Sequence, residues 1–262
     1  MDRPDLTRYL RQLGELGGPE LFLDSMTADE VRAAIAAGPA ASGRGQRPAP
    51  LDRGAAPVPA PAPARRHKAP APPDPRPPGP LRELEVAASG CTLCRLHAGR
   101  KTVVFGEGDP AADLVVVGEA PGQEEDRTGR PFVGRAGKLL DLLLMAAGFP
   151  RGRVYICNVL KCRPPDNRNP QPDEVGTCTS TWLHRQIELI TPRVLLAVGK
   201  FAAQALTGSD DAIGRLRGRV HAWRGTPLVV SYHPAYLLRS PNVIRDAWLD
   251  YQLLRAVLDE QA

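Results

Sequence analysis

Four short and almost unbroken apolar runs set the fold: DLVVVG (113–118), VYICNVL (154–160), VLLAVG (194–199) and LVVSYH (228–233). A strand that keeps one face in water alternates apolar and polar residues, whereas a continuous run is buried on both faces, as in a parallel sheet covered by helices. The segments between and after the runs supply those helices: GRAGKLLDLLLMAAGF, PDEVGTCTSTWLHRQIELI, GKFAAQALTG and NVIRDAWLDYQLLRAVLDE. Strand alternating with helix predicts an α/β chain whose ligands bind outside the carboxyl ends of the strands.

The alternation begins only after residue 80. Residues 1–37 carry two short amphipathic patterns, with Thr27 as an N-cap, Glu30 at the capping-box position and Gly38 as a stop, which predict a short helical N-terminal segment. Residues 38–80 hold half of the chain's 28 prolines, with Leu51 and Val58 as the only larger aliphatic side chains. Such a stretch buries too little apolar surface to offset its ordering entropy, so it reads as a disordered Pro/Ala-rich linker. The globular domain is expected over 81–262. No run of 18 apolar residues exists and MDRPDLTRYL lacks the pattern of a signal peptide, so a cytoplasmic protein without a membrane span is expected. A net charge of +5 suits a nucleic-acid partner and also suits many arginine-rich proteins.

Three of the four runs end in unusual chemistry. The first leads into GEAPGQEED, the second into NVLKCRPPDNRNP and the fourth into HPAYLLR, while the third ends plainly in GKFAAQ. Residues at the carboxyl ends of buried strands share one crevice, so the three polar motifs are expected to form one site. In the second motif Pro164, Pro165 and Pro170 forbid both helix and ladder, leaving a loop that turns away from the strand.

Five cysteines are present, an odd number in a chain expected to be cytoplasmic, which favours ligation or burial over a disulfide framework. Cys91 and Cys94 form a CxxC, and Cys162 and Cys178 supply two further thiols, a set that serves structural zinc and iron–sulfur centres alike. Spacing alone leaves the metal open. Cys157, inside a strand run, reads as a buried inert thiol.

GEAPGQEEDRTGRPFVGRAGKLL (118–140), NVLKCRPPDNRNPQPDE (158–174), HPAYLLR (233–239) and the order of the four cysteines together resemble the family 4 uracil-DNA glycosylases, the iron–sulfur branch of the uracil-DNA glycosylase superfamily. The resemblance covers roughly residues 85–258. It implies a three-layer α/β/α sandwich with a four-stranded central parallel sheet, and a [4Fe-4S] cluster on Cys91, Cys94, Cys162 and Cys178. It further implies a monomeric, monofunctional enzyme acting on uracil-containing DNA. Such an enzyme flips uracil out and hydrolyses its N-glycosidic bond, leaving an abasic site for base excision repair.

Glu119, Ala120, Pro121, Phe132, Asn158 and His233 would then surround the base. Asn158 offers an amide donor and an acceptor to the O4 and N3–H edge of uracil, a pattern that cytosine inverts. Phe132 would stack on the base, and His233 would donate to O2 as the leaving group becomes anionic. Glu119, Glu125 and backbone carbonyls are alternatives for holding the attacking water, because Ala120 stands where another branch has an aspartate. Tyr236, Leu237 and Arg239 would meet DNA, with Leu237 the favoured wedge and Tyr236 or Leu238 alternatives.

Three other readings compete. A superfamily branch that couples covalently through a histidine after the second strand lacks its counterpart here, because KCRPPDNRNP contains none. A non-enzymatic DNA-binding protein with a structural metal and a small electron carrier are the others. ARRHK (64–68) and PELFL (19–23) could make weak contacts with phosphates or with repair and replication proteins.

Overall fold

The computed structural model describes residues 79–261, so the helices expected in 1–37 and the linker up to residue 78 lie outside the described residues. Helix α1 (Pro80–Ser89) opens this region with proline at its first position, where a missing N–H costs nothing. The sheet follows: β1 (Glu107–Gly108), β2 (Leu114–Gly118), β3 (Val154–Asn158), β4 (Val194–Val198), β5 (Val220–Trp223) and β6 (Thr226–Ser231), in the spatial order β1-β3-β2-β4-β6-β5.

The four apolar runs form the parallel centre, β3-β2-β4-β6, as expected. The sheet nonetheless has six strands, not four, because β1 and β5 add antiparallel edges to β3 and β6. Both edges escape a search for buried runs: β1 is two residues long, and β5 leaves Val220 and His221 at least partly in water. Short edges of this kind also limit pairing with foreign strands.

Alternation along each central strand divides the core into two layers. Val115 and Val117 of β2 pack with Tyr155, Leu195 and Leu228 under α1, the helical stretch Pro172–Ile190 and α6 (Lys200–Thr207). Leu114 and Val116 face the other way, toward α3 (Arg135–Ala146) and α9 (Ile244–Asp259), which contribute Leu139, Leu143, Tyr251 and Leu254. Burying one such side chain contributes about 1.5–3 kcal/mol, so a charge at Val116 would break both the sheet and its docking on α3.

The long stretch after the proline loop runs as α4 (Pro172–Cys178), a wider turn over Thr179–Leu183, and α5 (His184–Ile190). The predicted single helix is therefore present, with a π-type turn immediately after Cys178, a feature that recurs near functional sites. Two short helices complete the crevice side, α2 (Gln123–Thr128) after β2 and α8 (Pro234–Arg239) after β6, with α7 (Ile213–Leu216) between α6 and β5. Among the described residues no helix is long and apolar enough to cross a membrane.

Candidate active-site cleft and thiol cavity

A cleft of ≈ 800 Å³ opens at the carboxyl edge of the parallel strands. Glu119, Ala120, Pro121 and Gly122 line it from β2, Asn158 from β3, Gly199 and Lys200 from β4, and Tyr232 and His233 from β6. The register explains the convergence, since Gly118 pairs level with Asn158 and Val198 with Ser231. The third strand end, passed over as plain, therefore belongs to the crevice as well: β4 lies between β2 and β6, and its end cannot point elsewhere.

The cleft floor is built on a missing side chain. A Cβ on Gly118 would stand 2.4 Å from both Asn158 Oδ1 and Phe132 Cζ, so glycine alone lets these groups meet. Asn158 is 1% exposed, and its Oδ1 accepts no hydrogen bond within the protein. Leaving a buried acceptor unpaired costs about 1–3 kcal/mol, which a ligand N–H in the cleft would recover. Its main-chain carbonyl is anchored by the buried Lys161, whose Nζ donates to it at 2.7 Å.

Phe132 reaches this floor in a left-handed conformation, φ 51°. Arg151 holds the bend by donating to the carbonyls of Pro131 at 2.6 Å and Phe132 at 3.2 Å. Glu125 holds it from the other side: Oε1 accepts from Val133 and Gly134 N–H at 2.9 Å each, while Oε2 accepts from Gly122 N–H at 3.1 Å. Both carboxylate oxygens of Glu125 are thus engaged with backbone. Glu119 differs, because burial alone pushes its carboxyl above the usual glutamate range.

His233 caps α8, its Nδ1 accepting from Ala235 N–H at 3.1 Å. That bond places the proton on Nε2 of the neutral ring, and burial pushes the pKa down to about 4. The ring lies 5.7 Å from Phe132, and Gly199, at φ 98°, clears the space for it. His233 titrates at about 4 when folded and near its ordinary 6.5 when unfolded, so the unfolded chain binds the extra proton first. This group's contribution to stability is therefore expected to be whole above pH 6.5 and to shrink as pH falls toward 4. Denaturant midpoints measured across that window should fall more in the parent than in His233→Gln.

Comparison with known proteins agrees with this geometry. The family model for the uracil DNA glycosylase superfamily matches residues 105–253. A type-4 uracil-DNA glycosylase of Thermotoga maritima is 50% identical over 152 residues, covering 57% of this chain and 79% of the relative. A second, from Archaeoglobus fulgidus, is 43% identical over 170 residues, covering 62% and 85%. The chain belongs to the type-4 branch of the uracil DNA glycosylase superfamily. A type-5 relative from Pyrobaculum aerophilum is also similar, at 36% identity over 173 residues, covering 59% of this chain and 73% of that one.

The four cysteines expected to act together gather in one cavity. Cys91, Cys94, Cys162 and Cys178 line one cavity with Ala88, Leu93, Val103 and Trp182, and with Arg100 and Lys161 as its cations. Arg100 Nη1 donates to Cys162 Sγ and Lys161 N–H to Cys178 Sγ, both at 3.3 Å. Among the described residues no three Cys, His, Asp or Glu side chains converge to hold a single metal ion. Four soft donors in a partly apolar wall, one of them accepting from the Arg100 guanidinium, are a donor set that suits a thiolate-ligated centre such as an iron–sulfur cluster. Burial pushes the Cys162 thiol up, and the Cys178 thiol to about 12, values that deprotonation upon metal ligation would reverse. Cys157 is fully buried and does not line the cavity.

In the segment expected to meet DNA, burial argues against one candidate. Leu237, the favoured wedge, is 1% exposed and packs into the core with α3 and α9. Helical spacing explains this: α8 turns Tyr236 and Arg239, three residues apart, outward into the cleft rim and Leu237 inward. Tyr236, 40% exposed, is the apolar side chain that the rim presents. Sequence reasoning also missed Lys200 and Tyr232. The Tyr232 ring lies 5.4 Å from Tyr236 and carries the Arg217 guanidinium at 5.0 Å, itself held by the fully buried Asp250.

Proposed function

We propose that the protein removes uracil from DNA by hydrolysis, releasing the free base and leaving an intact abasic strand. The observation that carries this reading is the pairing, in one cleft, of an unpartnered buried Asn158 acceptor with a neutral, tautomer-fixed His233 donor beside an aromatic ring. Asn158 accepts from uracil N3–H and donates to O4, whereas cytosine offers a bare N3 and an amine in those places. Phe132 stacks on the extruded base.

The bond that breaks is C1′–N1, and its electron pair leaves on the base, mostly toward O2. His233 Nε2–H donates there, so the developing charge is met by a donor that needs no reorganisation. Water attacks C1′ as the C1′–N1 bond breaks; its oxygen becomes the sugar hydroxyl, and the proton it loses is passed to solvent, from which the released uracil anion takes one up. Glu119 positions this water, because it lines the cleft and Glu125 is occupied with backbone. Tyr236 and Arg239 meet the DNA at the rim, the tyrosine filling the gap left by the flipped nucleotide.

Cys91, Cys94, Cys162 and Cys178 hold a [4Fe-4S] cluster in this reading. Its chemistry is to bind four thiolates at once and so tie the segment after α1 to the loop after β3 and to α4. Protein purified without oxygen should contain iron and sulfide, and Cys157→Ser should leave the iron content intact; stoichiometric zinc without iron would contradict the assignment.

Lys200 is the one lysine lining the cleft among the described residues, and Lys161 is spent on Asn158 O. A water mechanism uses neither as nucleophile. Incubation with a uracil-containing oligonucleotide followed by alkali should cut the strand at uracil, while borohydride should trap no protein–DNA adduct. An intact strand would exclude the glycosylase reading in favour of a binding protein. A version beginning at Gly79 should excise uracil as the full chain does, since every cleft residue lies beyond it; loss of excision with the cluster retained would place the N-terminal region in catalysis.

A further inference from the structure

A second hollow, of ≈ 300 Å³, lies against the cleft on the side of the thiol cavity. Arg95, Arg163 and Arg168 line it together with Pro164 and Pro165, and no carboxylate does. Pro164 and Arg168 also line the cleft, so the two spaces share a wall. Arg95 directly follows Cys94 and Arg163 directly follows Cys162, so the walls of the thiol cavity bring together two arginines far apart in sequence.

The arginines are held from behind. Arg168 grips Glu174 with both amino groups, at 2.6 and 2.9 Å, and Glu174 is fully buried at the start of α4. Arg95 Nη2 donates to Asp173 at 2.7 Å. These two carboxylates offset two of the three positive charges and fix the planes of the guanidiniums. Arg163 remains, its Nε donating to the neutral Asn167 Oδ1 at 2.8 Å and its amino groups bonding to no described residue. One net positive charge, with pre-aimed N–H donors around a small concave space, suits one monoanionic phosphodiester.

We propose that this hollow seats one backbone phosphate of the bound DNA, away from the flipped nucleotide, so that the strand is gripped along the cysteine side of the enzyme. The proposal rests on the uracil-DNA reading, and its test separates the two. Cluster-loaded protein is titrated with an oligonucleotide bearing a uridine analogue whose glycosidic bond resists hydrolysis, over a range of salt concentrations. Arg163→Ala should reduce the slope of log affinity against log salt by about 0.7–0.9, the loss of one phosphate contact, and Arg163→Lys should restore most of it. Neutral methylphosphonates introduced one at a time should reveal one position that weakens the parent and has no further effect on Arg163→Ala.

An unchanged slope in Arg163→Ala, or the absence of any such position, would overturn the phosphate site. Uracil release by the parent from the natural strand is measured alongside. Release with an unchanged slope overturns only this proposal, and no release overturns the glycosylase reading beneath it. Should Arg163→Ala carry less iron than the parent, Arg163→Gln compared at equal iron per protein gives the same discrimination.

Discussion

Asn158→Asp should lower the single-turnover rate of uracil release by about 10²- to 10³-fold, equivalent to losing one preorganised donor, about 2.7–4 kcal/mol. The amide sits 1% exposed between Gly118 and Phe132, and a base stacked on Phe132 would keep water from replacing a missing N–H. An ionised carboxylate has nothing to offer O4, and its charge would be buried without a partner, at further cost to stability. The same carboxylate accepts from an amine, so the preference for uracil over cytosine should narrow together with the rate. Single-turnover assays on strands containing either base measure both. A rate within about threefold of the parent would mean that Asn158 does not read the base.

His233→Ala should cost about 10²-fold or more in the same assay, because the donor aimed at O2 disappears while the rest of the cleft stands. The substitution also removes the cap of α8, worth about 1 kcal/mol of stability. The two effects separate cleanly: an unfolding curve reports the cap, and the single-turnover rate at saturating protein reports the donor. His233→Gln, which keeps a neutral N–H, should recover part of the rate. Because the ring titrates near 4, the rate of the parent should show no step attributable to His233 between pH 6 and pH 8. A near-parental rate in His233→Ala would place stabilisation of the leaving base elsewhere.

The central sheet was legible in the sequence because strands buried on both faces write themselves as unbroken apolar runs. The edges were not, since β5 alternates and β1 is too short to carry a pattern. Asn158 and His233 were legible as polar residues ending such runs. Lys200 was not, because GKFAAQ reads as a helix start, although the central place of β4 commits its end to the crevice. Leu237 misled for a related reason: an apolar residue in a segment expected to meet DNA looks available, and only the helical turn begun by Pro234 decides which side faces out. The backbone duty of Glu125 was foreshadowed by its position three residues after Gly122, the spacing of a helix cap.

The arrangement of the thiol cavity also fixes an order of events during synthesis. Helix α1 packs against α5, and Cys91 and Cys94 line one cavity with Cys162 and Cys178, so the first-made part of the domain has partners in the middle of the chain. While the ribosome is still translating β2 and β3, α1 lacks its α5 partner, and Cys91 and Cys94, just after it, lack Cys162 and Cys178. Closure waits until α5 has emerged. The contacts of β2, α3 and β3 are nearer in sequence, so the N-terminal end of the domain, although made first, completes its packing only after the middle of the chain has been made.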